Sequence, residues 1–538
     1  MTDIIATCDW VFEHARTRPA APAVDSPTHR LSYGVLARRV LRCSRVLGGL
    51  GVAAGDMVLI ALPNVPGSAV VSLAVQHLGG VCVEVSRDWT PEQIATVLAQ
   101  TRARTVALAA RDLRRLAPVL QAAGVRSLLV ELAGPVPADL RALLGTMEVA
   151  RVGEDGETGD AGEAEGLEPL PQAPPVRDPA SATLLLYTSG STGSPRAVVQ
   201  TLANIDANSR SIVRYLELTA EERAMLILPL SYCYGRSVLQ THLMVGGSIF
   251  LDPRFMYPSV VMAAIGSERC TGFAGVPLTF ELLHRRAQPV PSEMPALRYV
   301  TQAGGAMSPE TIDWARGAFA PAKLFVMYGQ TEATARLAYL PPARAEDKRG
   351  SIGIAIPDVE LRVVDDDGAD VEPGAPGNLI ARGGNVTPGY YEAAAETALI
   401  LRNGWLWTGD IARRDDDGFF FVVGRAKDIM KISGRRVSPA QIEGVLLAHP
   451  DVEEAAVAGI ADALTGEAPA ALVVIKEGAS VSLEALHRFC TERLAHHLVP
   501  RVVRFAAQLP RNASGKLLRA EVAHALAAPS EPPAAPSP

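Results

Sequence analysis

Between residues 31 and 150, stretches with helical spacing of apolar residues alternate with short runs of Val, Ile and Leu: LSYGVLARRVLRCSRVLGGLGV, then MVLIALP, then GVCVEV. Short apolar runs read as strands buried on both faces, and strands alternating with helices call for parallel crossover connections. The pattern predicts an α/β fold in which mixed, largely parallel sheets are covered by helices.

The chain has 538 residues, whereas a single hydrophobic core stops growing at about 250 to 300. At least two domains are expected. With 48% apolar and 20% charged residues, there is ample material for buried cores. The net charge of −7, from 51 basic and 58 acidic residues, argues against a nucleic-acid partner, so a phosphate-bearing ligand must be held locally. Six cysteines lie far apart without a C-x-x-C pair, which signals neither a zinc site nor a disulfide framework and fits a reducing compartment. The N-terminal residues lack the basic and apolar regions of an export signal. The most apolar stretch, residues 69 to 85, is interrupted by Gln76, His77 and two glycines, and falls short of the ~20 residues a spanning helix needs. A cytoplasmic protein with no membrane partner is expected.

Composition also marks boundaries. Residues 152 to 180 are acidic and rich in Gly and Pro, which predicts a flexible surface excursion. The run TLLLY at 183 to 187 then reads as a buried strand. After Lys427 the pattern changes. Ser438, Pro439 and Gln441 read as a capping box opening a helix with Ile442, Val445 and Leu446 on one face. Two strand-like runs, AAVAGI and AALVVI, follow, and then Ser482 opens a helix with Leu483, Leu486, Phe489 and Cys490 aligned. This predicts a small α+β domain, with the Pro-rich residues 527 to 538 as a disordered tail.

The loop TSGSTGSPR, residues 188 to 196, follows the TLLLY strand directly. Glycines let backbone N–H groups approach an anion, hydroxyls add donors and Arg196 adds charge, a combination suited to polyphosphate. It is not a Walker A loop, because Pro195 stands where that motif needs its second glycine. Further along, YGQTE (residues 328 to 332) follows the apolar strand KLFVM and puts a hydroxyl and a carboxylate at a strand end, where open α/β sheets bind ligands. WTGD then sets Asp410 after a tight turn, and GRAKD, KISG and PRNASGK follow in order.

In this order and spacing, these strings resemble the adenylate-forming superfamily of acyl-CoA synthetases, peptide-synthetase adenylation domains and luciferases. The resemblance runs from about Leu31 to Arg519. It implies an N-terminal domain of residues 1–426, a hinge at Lys427 and a mobile C-terminal lid of residues 427–526. It implies that Thr188, Ser189, Gly190, Ser191, Thr192, Gly193 and Arg196 form the loop for the β- and γ-phosphates of ATP. Arg196 stands where most members have Lys. Gly304 and Gly305 match the segment against adenine, Tyr328 and Gly329 begin the motif that stacks on it, Thr331 contacts the α-phosphate and Glu332 holds Mg²⁺. Asp410 and Arg425 match the pair on the ribose hydroxyls. Lys516 matches the lysine that meets both the acyl carboxylate and the α-phosphate. The lid loop from Lys431 to Gly434 serves the second half-reaction.

Under this resemblance a carboxylic acid and ATP give acyl-AMP and pyrophosphate, and the acyl group then passes to a thiol. The acid is expected to meet residues 228 to 238 and Gln330. No acidic residue occurs between Leu226 and Phe250, which disfavours an α-amino acid held through its ammonium. Tyr232, Tyr234 and the small Gly235 suit an aryl or short acyl group, or else simply pack. Arg236 faces the pocket and pairs with a second polar or anionic group on the acid, or else points to the surface or pairs within the protein. No fused carrier domain is expected, since the residues beyond Arg519 show no D-S-L attachment motif, and CoA is then the leading acceptor. A separate carrier protein and an amine are the alternatives. A nucleotide-binding relative without catalysis is disfavoured by the intact Glu332, Asp410, Arg425 and Lys516.

Overall fold

The computed structural model describes residues 6–132, 137–153, 156–158, 170–171, 177–188, 195–432, 435–462, 466–511 and 517–527. It divides into two compact units, Met1–Leu361 with Ala381–Leu406, and Arg362–Ile380 with Trp407–Pro538. The boundary expected at Lys427 falls inside the second unit. Much of the predicted excursion at 152–180, and the tail from residue 528, lie outside the described residues.

The first unit contains a seven-stranded sheet whose order is Glu148–Val152, Ser127–Glu131, Thr105–Ala109, Met57–Ala61, Val81–Glu84, Ala182–Thr188 and Arg196–Thr201. All neighbours run parallel except the last pair, which is an antiparallel hairpin. The period of two divides each strand between two cores: Val58 and Ile60 join one cluster, Leu59 and Ala61 the other. Because both faces are buried, the strand reads as an unbroken apolar run. The helix Tyr33–Gly49 is capped by Ser32, whose hydroxyl accepts from the Val35 N–H at 3.4 Å. The apolar stretch at 69–85 is the buried helix Pro66–His77 followed by a central strand. Among the described residues no helix is long and apolar enough to cross a membrane.

A second, nine-stranded sheet has a parallel centre formed by Tyr299–Gln302, Lys323–Tyr328, Gly272–Gly275, Arg223–Leu226, Ser248–Leu251 and Pro22–Asp25. Leu226, Gln302 and Tyr328 end three of these strands, so the segments 227–238, 303–305 and 329–336 all leave from one end of the sheet. In open α/β sheets, that end is the ligand-binding end.

In the second unit the strands Arg435–Val437, Met430–Ile432, Gly466–Ile475 and Val452–Asp462 form a sheet, with Val502–Phe505 added parallel to Gly466–Ile475. The helices Pro439–Leu447 and Leu483–Arg493 contribute Ile442, Leu446, Leu486 and Cys490 to one core, and the helix Arg519–Ala527 contributes Val522 and Leu526 to another. Two local expectations fail here. The Ser438 hydroxyl does not cap its helix; it donates to the Val423 carbonyl, because an acceptor in the strand Phe420–Arg425 competes for it. Leu483, the first residue of its helix, is 48% exposed. All six cysteines are buried free thiols.

Candidate active site

The hairpin that ends the seven-stranded sheet sets Thr188 directly opposite Arg196. The loop between them, Ser189 to Ser194, lies outside the described residues, as do Gly434 and Lys516. The Arg196 guanidinium sits over the ring of Tyr390, 5.6 Å from its centroid. The Tyr390 hydroxyl in turn donates to Glu332 Oε1 at 2.8 Å. Main-chain pairing fixes this trio: Val199 N–H donates to Gly389 O at 3.0 Å, Tyr391 N–H to Ala197 O at 2.8 Å and Thr387 N–H to Glu332 O at 2.9 Å. Burial, reinforced by the neighbouring carboxylate, raises the Tyr390 pKa, so it stays a neutral donor at physiological pH. Tyr390 was not visible as a site residue in the sequence. The string VTPGYY reads as an ordinary turn, and nothing in it foretells a contact with Glu332.

After the strand Lys323–Tyr328, Gly329 and Gln330 lead into a single 3₁₀ turn, Thr331–Ala333. Tyr328, Gln330, Thr331 and Glu332 are all half-buried, and Gln330 Nε2 has no hydrogen-bond partner. The turn closes on Thr334, whose φ of 63° is unusual for a β-branched residue. Such a conformation costs about 1–3 kcal/mol and persists only where its surroundings hold it. Here Thr334 Oγ1 donates to Asn385 O at 2.7 Å, and Gln200 Nε2 donates to Thr334 O at 3.0 Å. Thr331 Oγ1 donates to Cys233 Sγ at 3.5 Å, which joins this turn to the segment read as the acyl-binding one.

Gly304, with Gly305 beside it, meets that same segment. Gly304 has φ of +90°, and a Cβ there would stand 2.3 Å from the Tyr232 hydroxyl oxygen. Only glycine lets Tyr232 approach so closely. Tyr232 packs edge-on to Tyr234 at 6.3 Å, and the Tyr234 hydroxyl donates to Thr301 Oγ1 at 2.7 Å. Gly235 serves packing rather than ligand room: a Cβ there would lie 2.3 Å from Pro229 O.

Arg236 does not face an acyl group. It is 2% exposed, and its guanidinium donates to Glu84, to Ser72 Oγ at 2.9 Å and to Leu230 O at 3.2 Å. A buried charge without such partners would be costly, so the protein has satisfied it internally. Burial pushes the Glu84 carboxyl up against the opposing pull of the guanidinium. Behind Tyr234 lies a cavity of about 20 Å³, room for about one water, with Val238, His242, Thr301, Met327 and Arg336 in its wall.

In the second unit Asp410 lies within the strand Trp405–Arg414 rather than after a tight turn. Gly409 takes a positive φ of 76° inside that strand, and the Asp410 N–H donates to Thr408 Oγ1 at 3.2 Å. Asp410 is 3% exposed and pairs with Arg425 Nε at 2.8 Å across the adjoining strand. Lys427 is exposed in the turn between the strands Phe420–Arg425 and Met430–Ile432, the second of which carries Lys431. Arg519, three residues beyond Lys516, is held by Glu443 at 2.6 Å and by the Val457 carbonyl at 2.9 Å. Among the described residues no cluster of three or more His, Cys, Asp or Glu side chains forms a metal cage.

The family description "AMP-binding enzyme" matches residues 11–391, and "AMP-binding enzyme C-terminal domain" matches residues 441–516. The chain is 32% identical over 516 residues to a feruloyl-CoA synthase of Amycolatopsis sp, covering 95% of this chain and 97% of the relative. It is 30% identical over 519 residues to an indoleacetate–CoA ligase of Aromatoleum aromaticum, covering 96% and 97%. Its fold matches that of o-succinylbenzoate CoA synthetase (MenE) from Bacillus subtilis, solved with the acyl-adenylate OSB-AMP, with a TM-score of 0.80, 26% identity and coverage of 96% and 97%. ATP-bound MatB from Rhodopseudomonas palustris has the same fold, with a TM-score of 0.83, 24% identity and coverage of 96% and 98%. Matched over most of its length by both profile and relatives, the chain belongs to the AMP-binding enzyme family and is an AMP-forming acid–thiol ligase that activates a carboxylic acid with ATP.

Proposed function

We propose that the thiol is that of coenzyme A and that the acid is a small aryl or short-chain carboxylic acid. The observation that most supports this reading is the grouping of Thr188, Arg196, Tyr390 and Glu332, with Thr331 and Tyr232 adjoining, beside the ligand-binding end of the parallel strands. Relatives that are ligases of feruloyl and indoleacetyl groups to CoA support the acceptor and the acid class.

In this reading the loop from Thr188 to Arg196 holds the β- and γ-phosphates, and Gly304, Gly305 and Tyr328 bracket the adenine. Thr331 donates to the α-phosphate, and Asp410 with Arg425 takes the ribose hydroxyls. A single carboxylate whose other contacts are already satisfied suits an Mg²⁺ that arrives on ATP, since that ion is held by one or two carboxylates plus phosphate oxygens. Glu332, steadied by Tyr390, is that carboxylate. When bound, the ion neutralises charge on the leaving pyrophosphate.

The acid is already ionised near neutral pH, its ordinary pKa being about 4, so no general base is needed. A carboxylate oxygen bonds to the α-phosphorus as the bond to the β-phosphate bridging oxygen breaks. Lys516 neutralises the charge that accumulates between the two anions. Residues 427–526 then turn about Lys427, withdraw Lys516 and present the loop from Lys431 to Gly434. The CoA sulfur attacks the acyl carbon, AMP leaves with the bonding electrons and the thiol proton goes to solvent.

Acid-dependent pyrophosphate release over a panel of carboxylic acids, with and without CoA, tests this function. Release accompanied by a CoA thioester is expected. Release without thioester would point to a carrier protein or an amine as acceptor. Lys516→Ala should lower adenylation by roughly 10²–10³-fold while leaving thioester formation from supplied acyl-AMP largely intact; equal loss of both steps would overturn its role.

A further inference from the structure

The loop 329–337 joins the strand Lys323–Tyr328 to the antiparallel strand Ala338–Leu340 and carries Thr331 and Glu332. It turns back at Thr334, where φ is 63° and ψ is −61°, and the Ala335 N–H donates to Ala333 O at 2.7 Å. A bond between residues two apart, closed at such angles, is a γ-turn of the rare and strained form. A β-branched residue is poorly suited to the positive φ, which glycine would adopt with far less strain. Relaxing Thr334 to a negative φ would rotate the chain on either side and carry Thr331 and Glu332 with it.

Three buried side-chain amides oppose that relaxation, those of Gln200, Asn385 and Asn208, each 1% exposed. Gln200 Nε2 donates to Thr334 O at 3.0 Å and to Thr331 O at 3.4 Å. Asn385 Nδ2 donates to Arg336 O at 2.8 Å and to Ala333 O at 3.3 Å, and Asn208 Nδ2 donates to Arg336 O at 3.2 Å. Hydrogen bonds made away from bulk water hold their geometry strongly, because a carbonyl released there would be left unpaired. Gln200 stands four residues after Arg196 in the strand Arg196–Thr201, on the same face. One strand therefore carries the cation of the phosphate loop at one end and the clamp on the Glu332 turn at the other. Asn385 lies two residues before Thr387, whose N–H donates to Glu332 O at 2.9 Å.

Resting on the reading of Glu332 as the Mg²⁺ carboxylate, we propose that Gln200 and Asn385 are positioning residues for ATP with its Mg²⁺. They hold the strained turn at Thr334, and the turn keeps Thr331 and Glu332 directed at the phosphates. Both are buried and act through the turn rather than on the nucleotide.

Calorimetric titration of ATP into the full chain, with and without Mg²⁺, tests this, alongside urea unfolding of each variant. Gln200→Met removes the donor at similar volume and should weaken Mg²⁺-dependent ATP binding roughly tenfold. Adding Thr334→Gly to that variant relieves the strain and should restore most of the affinity. Unchanged binding by Gln200→Met, or a double variant no tighter than Gln200→Met, would overturn the proposal. In the otherwise wild-type protein, Thr334→Ala keeps a Cβ at the positive φ and loses the hydroxyl anchor on Asn385, so it should bind ATP with Mg²⁺ more weakly than Thr334→Gly. Equal affinities or the reverse order would overturn the proposal even if Gln200→Met fails to fold. Glu332→Gln should abolish the gain in ATP affinity that Mg²⁺ gives, and a gain left intact would overturn the Mg²⁺ reading of Glu332 instead.

Discussion

Two arginines are buried almost equally in the larger unit, Arg236 at 2% and Arg336 at 3% exposure, and they are compensated in opposite ways. Arg236 has a carboxylate, a hydroxyl and a carbonyl around it, all from the protein. Arg336 has a sulfur, a carbonyl and an aromatic face, and no carboxylate among the described residues. Burial alone therefore does not tell how a buried charge is compensated. The partner set does, because a carboxylate offsets a buried guanidinium far more than a sulfur, a carbonyl or a ring face.

The contrast is most exposed to failure at Glu84. Glu84→Ala strands the Arg236 charge and should cost about 3–5 kcal/mol of stability, read from urea unfolding; a loss below about 1 kcal/mol would mean that Arg236 is as loosely compensated as Arg336. The next effect concerns whether anything else in the cavity offsets Arg336 or adds to its charge. His242 shares that cavity, donating to the Val238 carbonyl and hydrogen-bonding the Tyr299 hydroxyl at 3.0 Å. Burial lowers its pKa to about 4 from the ordinary 6.5, so folding favours the neutral ring. Its contribution is present in full above about pH 6.5 and is lost as pH falls toward 4, by about 3 kcal/mol. Comparing unfolding of the wild type and His242→Gln across that window should show the difference shrink with acid, and a pH-independent difference would mean that His242 already carries charge when folded.

Arg196 stands between the two cases, since a ring covers it while phosphates are its proposed counter-charge. Tyr390→Phe keeps the ring and removes only the hydroxyl on Glu332. It should lower kcat roughly fivefold, about 1 kcal/mol, and raise the Mg²⁺ concentration needed for half-maximal activity. An unchanged Mg²⁺ requirement would separate Tyr390 from the metal. The smallest effect is on the stability of Arg336→Met, where a lost cation–π contact offsets a relieved buried charge. A change within about 1 kcal/mol is expected, and a loss as large as that of Glu84→Ala would make the two arginines alike after all.

The parts of the site legible in the sequence are those where chemistry and chain proximity coincide. Thr188 and Arg196 flank one short loop, so the sequence already placed them together, and the structure adds the hairpin that pairs them. Glu332 follows its strand immediately, and strand ends are where such sheets bind ligands. Asp410 and Arg425 are close in the chain and meet across neighbouring strands, although the local geometry differs from expectation because Gly409 bends within a strand rather than ending one. Contacts over long separations were not legible. Tyr390 is 58 residues from Glu332, and Glu84 is 152 residues from Arg236. Ser438 showed the converse failure, a correct local motif whose hydroxyl was claimed by Val423 from another strand.

By itself, the sequence determined the alternation of strands and helices, the covered parallel sheets and the adenylate-forming motifs, and the resemblance those motifs carry implied the reaction. The first two follow from hydrophobic periodicity, and the motifs are short strings that local sequence alone displays. Only the tertiary structure decided which buried arginine is satisfied, because electrostatic compensation depends on which groups come within a few ångströms. Residues far apart in the chain supply those groups: Glu84 lies beside Arg236, and no carboxylate of the described residues lies beside Arg336.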